Sequence, residues 1–460
     1  ERYNMIKKLQ VTDVVKRCDE TKLGFSSTEE LPDLEISIGQ QRAREAIELA
    51  IHIQQKGYNI FALGPPGVGK RQIVNELLSK EAIKQKIPSD WCYINNFADP
   101  QKPQAVSLPT GKASILNQDL EQLIRNLRER ISSLFESEEY LAKRRKLDQE
   151  LKDWQEKELL DIQSDANKDD LIFVQTIEGF LFVPTKKGKE LSTEDINALT
   201  ADERAKTNQK LETYRQRFTD FMQKVITKEK DLHMKIRNLH QEMIVFAVGH
   251  LIDEIKKKYT EIPTIVNFLN SIQKDIIENA EDIRRFSRVE ESKMLQYLEL
   301  TFGEDIFRKY RINVFVNNEK TKGAPIVFAD HPTYSNLIGR IDHVSKMGTL
   351  ISDFTLIKAG ALHQANGGYL IFDVEKVLTN PFSWNALKRS LRTGKIEIEP
   401  PGEGIGLFST AVIQPEPIPF DCKVILIGSR TLYYLLSEYD AEFSELFKME
   451  ADFEEHIERK

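Results

Sequence analysis

The chain has 460 residues, long enough for two to four domains with a sizeable core, and its 40% hydrophobic and 30% charged residues are an ordinary soluble balance. A formal net charge of −7 argues against a protein built to coat nucleic acid, and no apolar stretch is long enough for a transmembrane helix. The cysteines Cys18, Cys92 and Cys422 lie far apart with no CxxC pair, so neither a disulfide framework nor a zinc site is indicated, which fits a reducing, cytoplasmic setting.

Residues 1–34 form an N-terminal segment with no initiator Met and no apolar leader; with the charged stretch ending at Lys460, it reads as belonging to a fragment cut at both ends. Residues 35–112 alternate in an α/β manner. An amphipathic helix over Arg42–Ile51 is followed by an apolar strand, Tyr58–Leu63, a glycine-rich turn, a second helix from Arg71 and a strand, Trp91–Ile94. That order is expected to open a parallel α/β sheet.

The texture changes over 113–310. Leu116, Leu120, Leu123, Leu127, Ile131 and Leu134 recur at helical spacing, and Leu211, Tyr214, Phe218, Phe221 and Val225 hold the 3,4,3,4 spacing of a coiled-coil seam. Between these arms, Leu171–Val174 and Phe180–Val183 flank Glu178-Gly179 and predict a small β-hairpin near 171–184. The region reads as a helical insertion with a β tip, serving either as a charged spacer or in handling a substrate. Strands then return at Ile312–Val316, Gly368–Asp373 and Lys423–Gly428, so 311–460 is expected to complete the sheet begun at residue 58. Basic clusters such as Lys143–Lys146 and Lys256–Lys258 are interspersed with acids and read as solvated helix faces. His343 and His363 stand outside any metal-ligand spacing and read as structural.

The chemistry concentrates in a few stretches. Gly64-Pro65-Pro66-Gly67-Val68-Gly69-Lys70 fits the first seven positions of the P-loop pattern GxxxxGK[ST]. Glycines let backbone N–H groups curl around phosphate oxygens, Lys70 supplies a point charge, and the next helix presents its positive end. ATP is the expected ligand. The eighth position, normally a Ser or Thr for Mg²⁺, is Arg71; it can contact a phosphate but cannot ligate a cation, which puts metal-dependent hydrolysis in question. Asp373, at the end of an apolar strand, is the Walker B candidate for the Mg²⁺ shell. The next position is Val374, with the carboxylate one further on at Glu375. Adjacent side chains of a strand face opposite ways, so Glu375 acts only if the chain turns there; a catalytic role and a surface carboxylate both stand.

With these motifs in place, the chain resembles the Lon-like AAA+ proteases, in the branch with a long insertion between the Walker motifs. The resemblance rests on Ile38-Gly39-Gln40, Gly57–Phe61, the P-loop, Asp90–Phe97, Leu108–Gly111, Gly323–Pro325, Pro332–Ile341, Ala365–Leu370 and Asn385–Gly394. It implies a P-loop AAA+ fold, with Ser429 as sensor 1 and Arg430 second in line. Lys448 stands where an arginine finger precedes Met-Glu, and would act in trans. It also implies a pore-facing loop between Gly339 and Phe354, where Met347-Gly348 resembles the hydrophobic-Gly step; a Met packed under its own loop is the other reading. ATP-linked proteolysis of protein substrates by a homo-oligomeric, usually hexameric ring follows from the family, with the Ser–Lys dyad in a domain for which this chain has no residues. Arg71 and Val374 keep open the family's ATP-independent branch, in which a degenerate site serves a ring scaffold and substrate gate. A nucleic-acid remodeller is disfavoured by the acidic charge.

Overall fold

The computed structural model describes residues 9–15, 18–31, 39–176, 179–186, 189–190, 200–283, 306–346, 349–399 and 413–455. Helix α1 (Gln41–His52) buries Ala43, Ile47, Ala50 and Ile51 on one stripe. Strand β1 (Ile60–Leu63) is buried along its length, and α2 (Lys70–Ala82) follows the glycine loop. Next come β2 (Asp90–Ile94) and β3 (Gln104–Leu108), then α3 (Lys112–Glu136) and α4 (Glu138–Lys168). A hairpin of β4 (Leu171–Thr176) and β5 (Gly179–Lys186) precedes α5 (Ala201–Lys258) and α6 (Pro263–Glu278). The chain then forms β6 (Ile312–Val316), β7 (Ile326–Phe328), β8 (Val344–Lys346) and β9 (Thr349–Ile351). It ends with β10 (Tyr369–Asp373), α7 (Ser383–Thr393), β11 (Lys423–Gly428), α8 (Arg430–Tyr439) and β12 (Met449–Asp452).

The central sheet is five-stranded and parallel, in the order β12-β1-β11-β10-β7. Its strands are apolar runs because both faces are covered. Phe61, Leu63, Leu370, Phe372, Val424 and Leu426 join one core, while Ile60, Ala62, Tyr369, Ile371 and Ile425 join the other with α1 and α2. Alternation along each strand produces that division. The carboxyl ends of β1, β11 and β10 lie together, which is where open α/β sheets bind ligands.

Two expectations about strands are corrected. Trp91–Ile94 does not continue this sheet, and Ile312–Val316 does not resume it: β2 pairs antiparallel with both β3 and β6, forming a separate sheet of order β3-β2-β6. Cys92 and Ile94 enter a core with α3, α5 and α6, whereas Tyr93 joins Phe315, Phe354, Ile357, Ile398 and Ile418. A strand buried on both faces reads as a continuous apolar run in either kind of sheet, so pattern alone could not assign it.

The helical region follows its periodicity. Leu116, Leu120, Leu123, Leu127 and Ile131 share one core with Ile244, Val248 and Ile252 of α5 and with Ile265, Leu269 and Ile272 of α6. Helix α5 begins with a capping box between Thr200 and Glu203. In its first half Tyr214, Phe221 and Val225 are buried with Ile162 and Phe182, and Leu211 and Phe218 pack against them. The hairpin pairs as the sequence predicts, with Phe173 opposite Phe182 and Thr176 opposite Gly179; Glu178 lies outside the described residues, as do 284–305.

Candidate functional site

The P-loop takes the shape its glycines permit. Gly67 and Gly69 lie at φ +85° and +81°, left-handed values at which a side chain would be strained. Gly69 leads directly into α2, whose first turn has no side-chain cap, leaving its N–H groups available to a ligand. Lys70 reaches back to donate to the carbonyls of Gly64 and Pro65, both at 2.6 Å. Burial pushes its ammonium pKa down, and the charge of Asp373 works the other way. The positive charge thus sits partly desolvated at the mouth of the loop.

A pocket of about 970 Å³ opens here at the carboxyl edge of the sheet. Of the P-loop, Gly64, Pro66, Gly67, Gly69, Lys70 and Arg71 line it; Pro65 contributes its carbonyl to Lys70, and Val68 packs toward the core beside α1 and α2. Asp373, Glu375 and Ser429 line the same pocket. Strand β10 ends at Asp373, whose Oδ1 accepts from the Glu375 backbone N–H at 3.0 Å and caps a helical turn, Val374–Leu378. That turn buries Val374 and brings Glu375 onto the pocket wall, against what an extended strand would do. Ser429 caps α8 by accepting from the Leu432 N–H at 3.3 Å.

Arg430, whose charge also helps push the Lys70 pKa down, is held by contacts within the fold. Its guanidinium donates to Asp452 Oδ1 and to the Phe453 carbonyl, each at 2.8 Å, and to Glu455 at 3.2 Å, fastening α8 to the end of β12. Lys448 is not in this pocket. It precedes β12 at the opposite end of the sheet, since Met449 pairs with Ile60 and Asp452 with Leu63, and its Nζ stands 5.3 Å from the Tyr58 ring centroid. Within one chain it cannot serve the P-loop. The hairpin of β8 and β9 exposes Val344, Leu350 and Ile351, while Met347-Gly348 between them lies outside the described residues.

The pocket also holds residues that sequence reasoning missed: Gln72 and Asn75 of α2 and Phe328 at the end of β7. Phe328 carries no polar signal, and only strand order places it beside Ile371. The Arg71 guanidinium lies 3.4 Å above the centre of its ring.

The residues present fit a nucleotide: a glycine cradle, an uncapped helix N-terminus and a lysine converge on one opening. They do not fit Mg²⁺. The position that should offer a hydroxyl offers a guanidinium, which repels a cation, and Asp373 has one carboxylate oxygen engaged in capping. Among the described residues no group of three or more His, Cys, Asp or Glu is arranged to hold a metal. Nor is any helix among them long and apolar enough to cross a membrane. His363 is buried, with Nδ1 accepting from the Gly360 N–H at 3.4 Å, and lies in the core rather than at the pocket.

Comparisons with known proteins bear on this site. Solved structures of NtrX from Brucella abortus share 16% identity over 44% of this chain and 54% of theirs, at a TM-score of 0.20. The form in complex with ATP shares 17% over 44% and 55%, at 0.19. The chain spans about half the length of these relatives, and the likeness is too distant to carry a function. No curated protein matches the sequence. A family model described as a LonB-like AAA domain matches residues 322–454, which include Asp373, Glu375, Ser429 and Lys448, and one described as a Lon-like LonC helical domain matches residues 90–123. Together with the P-loop and the parallel sheet it feeds, these matches support a Lon-like AAA+ assignment and a nucleotide-binding AAA+ module.

Proposed function

We propose that this chain is the ATP-binding module of a Lon-like serine protease system, working in the cytoplasm as part of a homo-oligomeric, hexameric ring that engages protein substrates for proteolysis. The observation that carries the reading is the convergence of Lys70, the uncapped start of α2, Asp373, Glu375 and Ser429 on one pocket. Nucleotide bound there would bridge β1, β10 and β11 and thereby couple occupancy to the arrangement of the sheet edge. The apolar side chains exposed on the β8–β9 hairpin support contact with extended polypeptide, because a gripping surface must hold a chain without reading its sequence.

Lys70 would replace its two carbonyl contacts with phosphate oxygens, and the α2 N–H groups would orient the phosphate chain. Glu375 favours a second reading, that of a hydrolysing motor, because its carboxylate reaches the pocket wall where it could orient a water. Lys448 would complete such a site only from a neighbouring subunit. ATP binding by calorimetry, in the protein and in Lys70→Ala, tests the first reading. A loss of about tenfold or more in the variant is expected from removing a charge-assisted contact. Equal affinity in the two proteins would remove the pocket as the nucleotide site. Turnover abolished by Glu375→Gln with binding retained would establish the motor.

A further inference from the structure

We propose that Arg71 takes the place of the divalent cation, so that this module binds ATP as the free tetra-anion, without Mg²⁺. The proposal rests on the reading of the pocket as a nucleotide site and adds a statement about which ionic form of the ligand it takes.

Consider what the guanidinium does now. It stacks on the Phe328 face, 3.4 Å from the ring centre. A face-on stack holds a guanidinium by its π surface and leaves the N–H donors at its rim unused. Arg71 makes no ion pair and no hydrogen bond among the described residues. Asp330, an acid whose carboxyl pKa is lowered chiefly by Lys376 and to a lesser degree by Arg71, is engaged with Lys376 at 2.7 Å. Asp373 is turned toward the Glu375 N–H that it caps. Arg71 is therefore positioned by an apolar partner, next to Lys70 in the same pocket wall, with its rim donors open to solvent and to a ligand.

Charge leads to the same conclusion. A P-loop must balance the phosphate chain with a lysine and, ordinarily, a metal ion held by the hydroxyl of the eighth residue. Here a fixed monocation on the protein occupies that position. Bringing Mg²⁺ beside it sets like charges together in a partly desolvated pocket, whereas a phosphate oxygen pair matches its fork. The ring of Phe328 pre-orders the side chain, so less rotamer freedom is lost when phosphate binds.

ATP binding is measured by calorimetry on the full chain at constant ionic strength, with excess Mg²⁺ and with excess EDTA. Wild-type affinity in EDTA is expected to equal or exceed that in Mg²⁺. Arg71→Ala should bind about tenfold or more weakly in EDTA, the loss expected for one charge-assisted contact. Arg71→Thr, which restores the usual hydroxyl, should bind weakly in EDTA and recover in Mg²⁺. A wild-type protein that loses affinity tenfold in EDTA would overturn the proposal while leaving the nucleotide site intact. So would Arg71→Ala binding as tightly as wild type in EDTA. Binding in neither condition would overturn the nucleotide reading itself, and this proposal with it.

Discussion

Val374 separates the carboxylates of Asp373 and Glu375, and its surroundings show why a glutamate does not fit there. It is fully buried in the core beneath the sheet, and a Cβ placed on Gly428 would lie 2.6 Å from its Cγ1. Val374→Glu would put an unpaired carboxylate there. It should cost roughly 3–5 kcal/mol of stability in denaturant unfolding, without improving turnover. Gly428→Ala should cost about 1–3 kcal/mol by overpacking against Val374 and Phe61, checked the same way. His363 supplies a pH dependence. Burial pushes its pKa down to about 3 from an ordinary 6.5, and its Nε2 is buried without a hydrogen-bond partner. The unfolded chain takes up a proton below pH 6.5 and the folded chain does not until about pH 3. Stability contributed by the neutral ring is complete above the higher value and lost progressively as pH falls toward the lower one. Between pH 7.5 and 5 the loss should be about 2 kcal/mol. His363→Gln, which keeps an acceptor for the Gly360 N–H, should show that much less change in urea unfolding at the two pH values.

At the scale of elements, sequence and structure agree where local chemistry is self-contained and part where it is not. The P-loop between β1 and α2 was legible because its glycines, lysine and flanking elements form one contiguous unit. The re-aiming of Glu375 was not, because it depends on β10 stopping at Asp373, a choice made by the cap and by the burial of Val374. The stacking of Arg71 on Phe328 joins residues far apart in sequence and leaves no local trace. The assignment of β2 failed for a related reason: both its faces are buried, one by helices and one by strand and loop residues such as Phe354, Ile357 and Ile418. A buried carboxylate holds that strand to its neighbours. Asp90 is fully buried and accepts from the Asn318 N–H at 2.8 Å and the Ala113 N–H at 3.2 Å, linking the start of α3 to the chain leaving β6. Asp90→Ala leaves both donors without their charged acceptor and should destabilise by roughly 2–3 kcal/mol in chemical unfolding.

At the scale of the molecule, the core containing the long helices is distinct from the two that sandwich the parallel sheet. The helical core includes Cys92, Ile94, Val106 and Leu108 from one end of the insertion and Phe307, Tyr310 and Ile312 from the other. Tyr310 donates to Asp275 at 2.6 Å, and Tyr259 donates to Asp119 at 2.9 Å, so polar contacts within this unit also join distant stretches. We therefore propose that the inserted unit runs from about residue 88 to about residue 318, wider at both ends than the helical pattern alone indicates. A fragment spanning 88–318 contains all three strands of the antiparallel sheet and both backbone partners of Asp90. It should unfold cooperatively and show dispersed amide resonances. A fragment spanning 113–310 keeps the helices but removes the sheet against which α3 packs, exposing Leu116 and Leu120. It should retain helical circular dichroism, lose cooperativity and bind hydrophobic dyes. Equal cooperativity in the two fragments would return the boundary to the helices. Cooperative unfolding of the longer one alone would make the β3-β2-β6 sheet the base on which the helical arm is built.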